Sequence, residues 1–380
     1  MKKVLYIYGN LPSYREDFFT LLSSSLDKEG IEMKVLYGCI KNKQTRQADA
    51  RLYKTQKLTT KIYNLKLLRF SRMNGLLKAI KKERPDAIVF QFNQTNLSEW
   101  DVLRYCKKKS IPYGIWGCNY TRNDLIKPLV IIRNIIYHLL YRNASILIPY
   151  GSMYKDFLIN MGIEQDKIIV AQNTIDIETI SLHAPIKTKE SYNHSTTRIL
   201  YVGALAPQKC IESSIDAVAQ LIDEGLDIVY DIVGGGTLFD SLKNLCSQKS
   251  GKSKERIVLH GAKYGEDLKK FFCNADLFLM PGTGGLGVNE AMAYGLPIIS
   301  TIGDETIFDL IDGNGFLMSN MGNKVEQIDC IRNFISLSAE EKLEMSKQSI
   351  KLIRERASLM NMVEKHLLAC KKLVYEDSIV

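Results

Sequence analysis

The chain has 380 residues, 46% hydrophobic and 24% charged, with a formal net charge of +9. That balance excludes a disordered or fibrous chain, and the length exceeds what one core comfortably fills, so two domains are expected. Eight scattered cysteines without a CxxC pair, and five histidines with no two close together, give no metal site that can be read from spacing and argue against a disulfide framework. A reducing cytoplasm is the expected compartment.

Charge divides the chain. Residues 1–180 carry 29 Lys+Arg against 16 Asp+Glu, whereas residues 181–380 carry 22 against 26. A basic front and a mildly acidic rear imply two domains with different partners: an anionic membrane surface or lipid-linked substrate for the first, with no nucleic-acid motif beside the charge.

The first residues, "MKKVLYIYGN", read as a β-strand rather than a signal peptide, because the apolar run breaks at Gly9–Asn10. Ser13 and Glu16 then have the spacing of a capping box. "EMKVLYG", "DAIVFQF", "IPYGIWG", "SILIPYG" and "KIIVAQN" follow as strands between amphipathic stretches. Residues 125–142 are apolar with Lys127, Arg133 and Arg142, a pattern that fits either a core helix or an interfacial one. Residues 179–196 are polar and aperiodic, with Pro185 and two isolated histidines, and read as a linker with His183 and His194 solvated.

A second alternating series begins with "TRILYVGAL" and runs through "DIVYDIVGGG", "RIVLHGA", "ADLFLMPG" and "LPIISTIG". The expected fold is therefore α/β, with two doubly wound domains: residues 1–178 and, beyond the linker 179–196, residues 197–357. The final stretch from 338 is long and amphipathic, and residues 358–380 are expected to pack back on the first domain.

Three strand ends in the second half carry glycine. Gly203 is followed by Lys209 ahead of a helix, a pairing that suits either an anion or an ordinary surface turn. Gly234 and Gly235 close the next strand. In "PGTGGLGVNEAMAYGLPII", Gly284, Gly285, Leu286 and Gly287 lead into the helix bearing Glu290, whose carboxylate suits a ribose diol or simply the helix dipole. Three such loops in one sheet point to a phosphorylated ligand.

These stretches, with "DLIDGNGFL" and "KIIVAQNTIDIETI", resemble the donor-binding domain of glycosyltransferase family 4, retaining enzymes of the GT-B architecture. In the front half, "GNLPSYREDFF" and "WGCNYTRN" resemble enzymes of bacterial surface-polysaccharide assembly, such as lipopolysaccharide or capsule. The resemblance implies two Rossmann-like domains facing across a cleft and transfer of a sugar from a nucleotide-diphosphate donor, UDP ahead of GDP, to a glycan or lipid-linked acceptor. It places Glu290 on the donor ribose and Lys209 on the diphosphate, with Arg122 as a further catalytic cation. Gly9, Asn10, Arg15, Cys118 and Asn119 fall on the acceptor side. No metal or other cofactor is implied, and no Asp-x-Asp motif is present. Peripheral contact with an anionic membrane is expected, at the inner face of the cytoplasmic membrane.

The departures are specific. The first Glu of the family's E-x7-E motif is Gly282, the arginine after its "VG" is Ala204, and a front-half histidine is replaced by Cys118 or Asn119. A non-catalytic sugar-nucleotide or glycan-binding protein is the alternative those losses motivate; a GT-B epimerase or phosphorylase fits the "EAMAYGLPII" stretch less well.

Overall fold

Uninterrupted apolar runs become strands buried on both faces. The computed structural model describes residues 1–40, 52–65, 68–117, 127–303 and 305–375. It divides the chain into two units, Met1–Gln172 with the segment from Leu359, and Asn173–Ser358.

In the first unit, β1 (Lys2–Tyr8), β2 (Ile31–Ile40), β3 (Lys54–Leu65), β4 (Leu68–Met73), β5 (Ala87–Phe90), β6 (Tyr113–Trp116) and β7 (Ile146–Ile148) form one sheet. Its order is β4-β3-β2-β1-β5-β6-β7, parallel except for the β3–β4 hairpin. Every residue of β5, β6 and β7 is buried, as a parallel sheet covered on both faces requires.

The second unit contains β8 (Thr197–Val202), β9 (Ile228–Val233), β10 (Ile257–Gly261), β11 (Leu277–Met280), β12 (Ile298–Thr301) and β13 (Gly315–Met318). The order β10-β9-β8-β11-β12-β13 is parallel throughout. It is the doubly wound order whose strand sequence reverses between the first and fourth members, here β8 and β11. In the first unit the same reversal lies between β1 and β5. Ligands in such sheets bind outside the carboxyl ends of the strands at that point.

Several sequence expectations need correction. The hairpin β3–β4 was not foreseen, because "KTQKLTTKIYNL" mixes lysines with polar residues instead of forming an apolar run; it lies beside the edge strand β4, where one-sided cover tolerates such composition. "KIIVAQN" forms only an isolated bridge, Leu147 to Ile168, with the Ile169 amide donating to the Leu147 carbonyl at 2.9 Å. The ladder stops there because the next return donor would come from Pro149, which has no N–H. The Ser13–Glu16 capping box is absent: Ser13–Arg15 is a 3-10 turn, the helix starts at Glu16, and the Glu16 carboxylate accepts from Tyr53 Oη at 2.8 Å.

The expected linker 179–196 is structured and belongs to the second unit, whose boundaries fall at Asn173 and Ser358 rather than at 197 and 357. Its polar groups find partners there. Lys187 donates to the Cys273 and Ala275 carbonyls at 3.0 and 2.8 Å, and His194 meets Asp276 at 3.1 Å, so it is paired rather than merely solvated. The final stretch is two helices, Ala339–Arg356 and Leu359–Tyr375, and the second packs on the first unit. There His366 is fully buried against Trp116, its Nδ1 3.0 Å from Tyr6 Oη. Burial drives its pKa down to about 3, so the ring is neutral.

Candidate functional site

At the carboxyl ends of β8 and β11, two loops of the second unit are tied together. A 3-10 turn, Pro207–Lys209, follows β8 and delivers Lys209 to the start of the helix Ile211–Asp223. Lys209 Nζ donates to the carbonyls of Thr283 and Gly284 at 2.6 and 2.5 Å. In return the Thr283 amide donates to the Gln208 carbonyl at 2.9 Å, and Thr301 Oγ1 holds the Gly282 carbonyl at 2.6 Å. Lys209 is therefore part of the loop's architecture as well as a cation beside it.

Gly282 explains why the loops can approach so closely. A Cβ there would stand 2.5–2.6 Å from the carbonyl carbon and Cα of Lys209. The missing carboxylate is thus no open gap, because backbone fills its place. Gly234 does the same for the neighbouring loop, where a Cβ would collide with the Gly203 carbonyl. Gly203 and Gly234 meet an internal packing need. Gly235 meets only the Ala262 methyl, at contact distance.

Gly285 caps the helix Leu286–Ala293, which starts one turn earlier than Glu290. The first intrahelical donor is the Val288 amide, to the Gly285 carbonyl at 3.0 Å, so the amides of Leu286 and Gly287 lack intrahelical acceptors. Such amides, at the positive end of a helix beside an ammonium group, constitute an anion site. On the same helix, Asn289 Nδ2 donates to the Asn173 carbonyl at 3.1 Å and pins the Asn173–Asp176 segment. Asp176 itself caps the helix Ile177–His183.

Glu290 is mostly shielded, and its carboxyl makes no hydrogen bond among the described residues. Burial raises its pKa to about 7. A carboxyl without a partner on a shielded helix face is placed to receive hydroxyl donors from a ligand.

The first unit has its own cavity, about 830 Å³, at the carboxyl ends of β1, β5 and β6. Gly9 and Asn10 line it, and nothing lies within 4 Å of a Cβ built on Gly9. Gln91, just after β5, donates to Tyr8 Oη at 2.9 Å and to Tyr150 Oη at 3.4 Å. The expectation that Arg15 faces this side is corrected. It is 1% exposed, its guanidinium 5.1 and 5.2 Å from the ring centres of Tyr14 and Trp116, with Nε 3.4 Å from Tyr8 Oη. Its apolar stem and planar head fill an aromatic cage within the core.

Cys118, Asn119 and Arg122 lie outside the described residues. Sequence reasoning missed Thr283, whose backbone both gives and receives the interloop bonds, and the hairpin residues of the front cavity. The switch-point rule applied to strand order is the signal that finds both places. Among the described residues, no group of three His, Cys, Asp or Glu side chains is close enough to hold a metal ion. No helix among them is long and apolar enough to cross a membrane.

Comparisons with known proteins bear on the family and the fold. Residues 196–336 match the family described as glycosyl transferases group 1. The amylovoran biosynthesis glycosyltransferase AmsK of Erwinia amylovora is 30% identical over 174 residues, covering 43% of this chain and 41% of that protein. The matched region thus spans about two fifths of the curated relatives' length. Among solved structures, Anabaena HepE in complex with UDP-glucose superposes with a TM-score of 0.66 at 16% identity, covering 98% of this chain and 99% of that one. A glycosyltransferase from Rickettsia africae reaches 0.70 at 14% identity, covering 99% of each chain. At such identities the likeness establishes the fold, two Rossmann-like sheets of GT-B type, along nearly the whole chain.

Proposed function

We propose that this chain, whose residues 196–336 are a glycosyl transferases group 1 domain, moves a sugar from a nucleotide-diphosphate donor to a glycan or lipid-linked acceptor during surface-polysaccharide assembly. UDP is the nucleotide assigned ahead of GDP, and the anomeric configuration is retained. The observation that carries the reading is the meeting of Lys209, the unpaired Leu286 and Gly287 amides and the shielded Glu290 at the switch point of the second sheet.

In this reading the diphosphate lies on the helix amides beside Lys209. Glu290 accepts hydrogen bonds from the donor's ribose hydroxyls. As the sugar–phosphate bond breaks, negative charge grows on the departing diphosphate, and the fixed dipoles and ammonium group stabilise it without reorganisation. Arg122 joins them on sequence grounds, and no metal is assigned. The front cavity, with Gly9 and Asn10 on its wall, takes the acceptor.

The competing reading, a sugar-nucleotide-binding protein without turnover, draws on Gly282. The carboxylate expected there is absent, and backbone occupies its place. Release of UDP from UDP-sugar on addition of an acceptor separates the two.

A membrane role belongs to the same proposal. The helix Lys127–Arg142 buries Tyr137, Leu140 and Tyr141 but leaves Ile135 and Leu139 more than half exposed. Beside them an apolar groove of about 550 Å³ carries Arg104 and Lys107 on its wall. Aliphatic exposure flanked by cations suits an anionic lipid surface.

The decisive experiment is calorimetric titration of the chain and of Lys209→Ala with UDP, GDP and UDP-glucose. Binding of a uridine nucleotide that the substitution weakens supports the site. No binding of any nucleotide, or equal binding by the variant, refutes it.

A further inference from the structure

We infer that the cavity of the first unit holds an anionic saccharide, its carboxylate or phosphate facing Arg69 and its hydroxyls facing a ring of side-chain amides. The inference depends on the proposed sugar transfer only in making that saccharide the acceptor.

The β3–β4 register fixes the wall. Ile62 pairs with Ser71 and Asn64 with Arg69, so period-2 alternation puts Arg69 and Ser71 on the strand face that carries Ile62. Arg69, Ser71 and Ile62 all line the cavity. Around them the lining is rich in amides: Asn10, Gln91, Asn93, Gln94 and Asn96, the last bridged to Ser71. Among the described residues the side-chain amides of Asn10 and Gln94 have no partner, so each offers a donor and an acceptor, the pattern that pairs with adjacent hydroxyls on a sugar ring, whereas Asn96 is committed to Glu99 and the Ser98 amide. Phe92 and Tyr137 add aromatic surface for the C–H faces of such a ring.

Charge narrows the class. Among the described residues Arg69 is the one ionised side chain on the lining, and it makes no ion pair with any of them. No Asp or Glu of the described residues lines the cavity. Glu99, fully buried, supports the loop that carries Asn93 and Asn96. It accepts from the backbone N–H of Asn93 at 2.7 Å and from Asn96 Nδ2 at 2.6 Å. Burial raises its pKa to about 8, above the ordinary carboxylate range. Those two bonds, with Gln91 held by Tyr8 and Tyr150, fix the amides before any ligand arrives. A neutral sugar would leave the guanidinium without a counter-charge, and a bare nucleotide would leave the amide ring unused.

The test titrates the full chain with glucuronate, glucose 1-phosphate and glucose by saturation-transfer NMR, and with UDP-glucose in parallel. One or both anionic sugars should bind at least about tenfold more tightly than glucose, with an advantage that shrinks at high salt. Which of the two holds the advantage distinguishes a uronate from a phosphate. Arg69→Gln, at an exposed position, should keep its melting temperature, lose the advantage and still bind UDP-glucose. Gln91→Ala should weaken all three sugars. Equal binding of glucose and both anions, or a preference that survives Arg69→Gln, overturns the inference. So does loss of UDP-glucose binding in Arg69→Gln, which would assign the guanidinium to the donor. If the unmodified chain binds an anionic sugar but no UDP-glucose, the donor site fails and the cavity assignment stands.

Discussion

Gly282 lies so close to Lys209 that a Cβ at position 282 would stand 2.5 Å from the Lys209 carbonyl carbon. The position where the family resemblance expects a carboxylate is therefore closed to any side chain unless the 207–209 turn moves. Gly282→Glu should accordingly fail to restore a sugar contact. Forcing atoms into a packed site costs about 1–3 kcal/mol. A fall in melting temperature of about 2–6 °C is expected, with no gain in UDP-glucose affinity. Tighter binding at an unchanged melting temperature would show that the turn yields freely.

Lys209 is the counterpart of that contact. Its ammonium group holds the Thr283 and Gly284 carbonyls at 2.6 and 2.5 Å, so it sets the loop from which the Leu286 and Gly287 amides emerge. Lys209→Met keeps the aliphatic stem and removes the charge and both bonds. Charge-assisted hydrogen bonds contribute about 1.5–3 kcal/mol each, so UDP-glucose affinity should fall by about 10- to 100-fold. Lys209→Arg should not rescue it, because a planar fork does not fit a pocket formed around a compact ammonium. Full affinity in the arginine variant would reduce the role of Lys209 to bulk charge.

Much of this was legible before any coordinates. The apolar runs of β8 to β12 end at glycine turns, and those turns are where Lys209 and Glu290 stand. What escaped has physical reasons. β4 is the edge strand and β3 its lysine-rich neighbour, and nothing in "LRFSRM" signals a cavity wall until it pairs with β3. Arg15 reads from the sequence as an acceptor-side cation. Only the tertiary arrangement of Tyr8, Tyr14 and Trp116 reveals the cage that encloses it. The polar composition of 179–196 suggested a solvated tether, yet Lys187 and His194 find acceptors on the chain around Cys273–Asp276. Composition reports polarity, not whether a partner waits for it.

Glu290 should couple both stability and ligand binding to pH. Its folded pKa, about 7, is raised by burial above the ordinary carboxylate value of 4.5. The folded state therefore holds the proton more tightly than the unfolded state. Its stabilising contribution is complete below pH 4.5 and is lost as pH rises toward and through 7. Glu290→Gln removes this dependence, so the variant should gain on the unmodified chain between pH 5 and pH 8, by on the order of 1–3 kcal/mol. UDP-glucose, whose diphosphate diester does not titrate in this range, should bind the unmodified chain more tightly as Glu290 ionises, since the carboxylate is the better acceptor for ribose hydroxyls. Parallel pH–stability curves for the two proteins would remove Glu290 from this role.

Leu139 and Ile135 supply the remaining prediction. Each is more than half exposed on the helix Lys127–Arg142, beside the groove that Arg104 and Lys107 flank, and Lys108 and Lys109 follow at the end of the neighbouring helix. Burying an exposed leucine at a lipid interface contributes about 2 kcal/mol, and each nearby cation adds about 1 kcal/mol at an anionic surface. The chain should therefore float with vesicles containing phosphatidylglycerol, more weakly with phosphatidylcholine alone, and less as salt rises. Leu139→Glu removes apolar burial and adds repulsion, so vesicle binding should drop by about 100-fold with little change in melting temperature. Ile186→Glu, at a position 88% exposed on the second unit, is the control that should float as before. Equal flotation with neutral and anionic vesicles, or of Leu139→Glu and the unmodified chain, would assign the groove to something other than lipid.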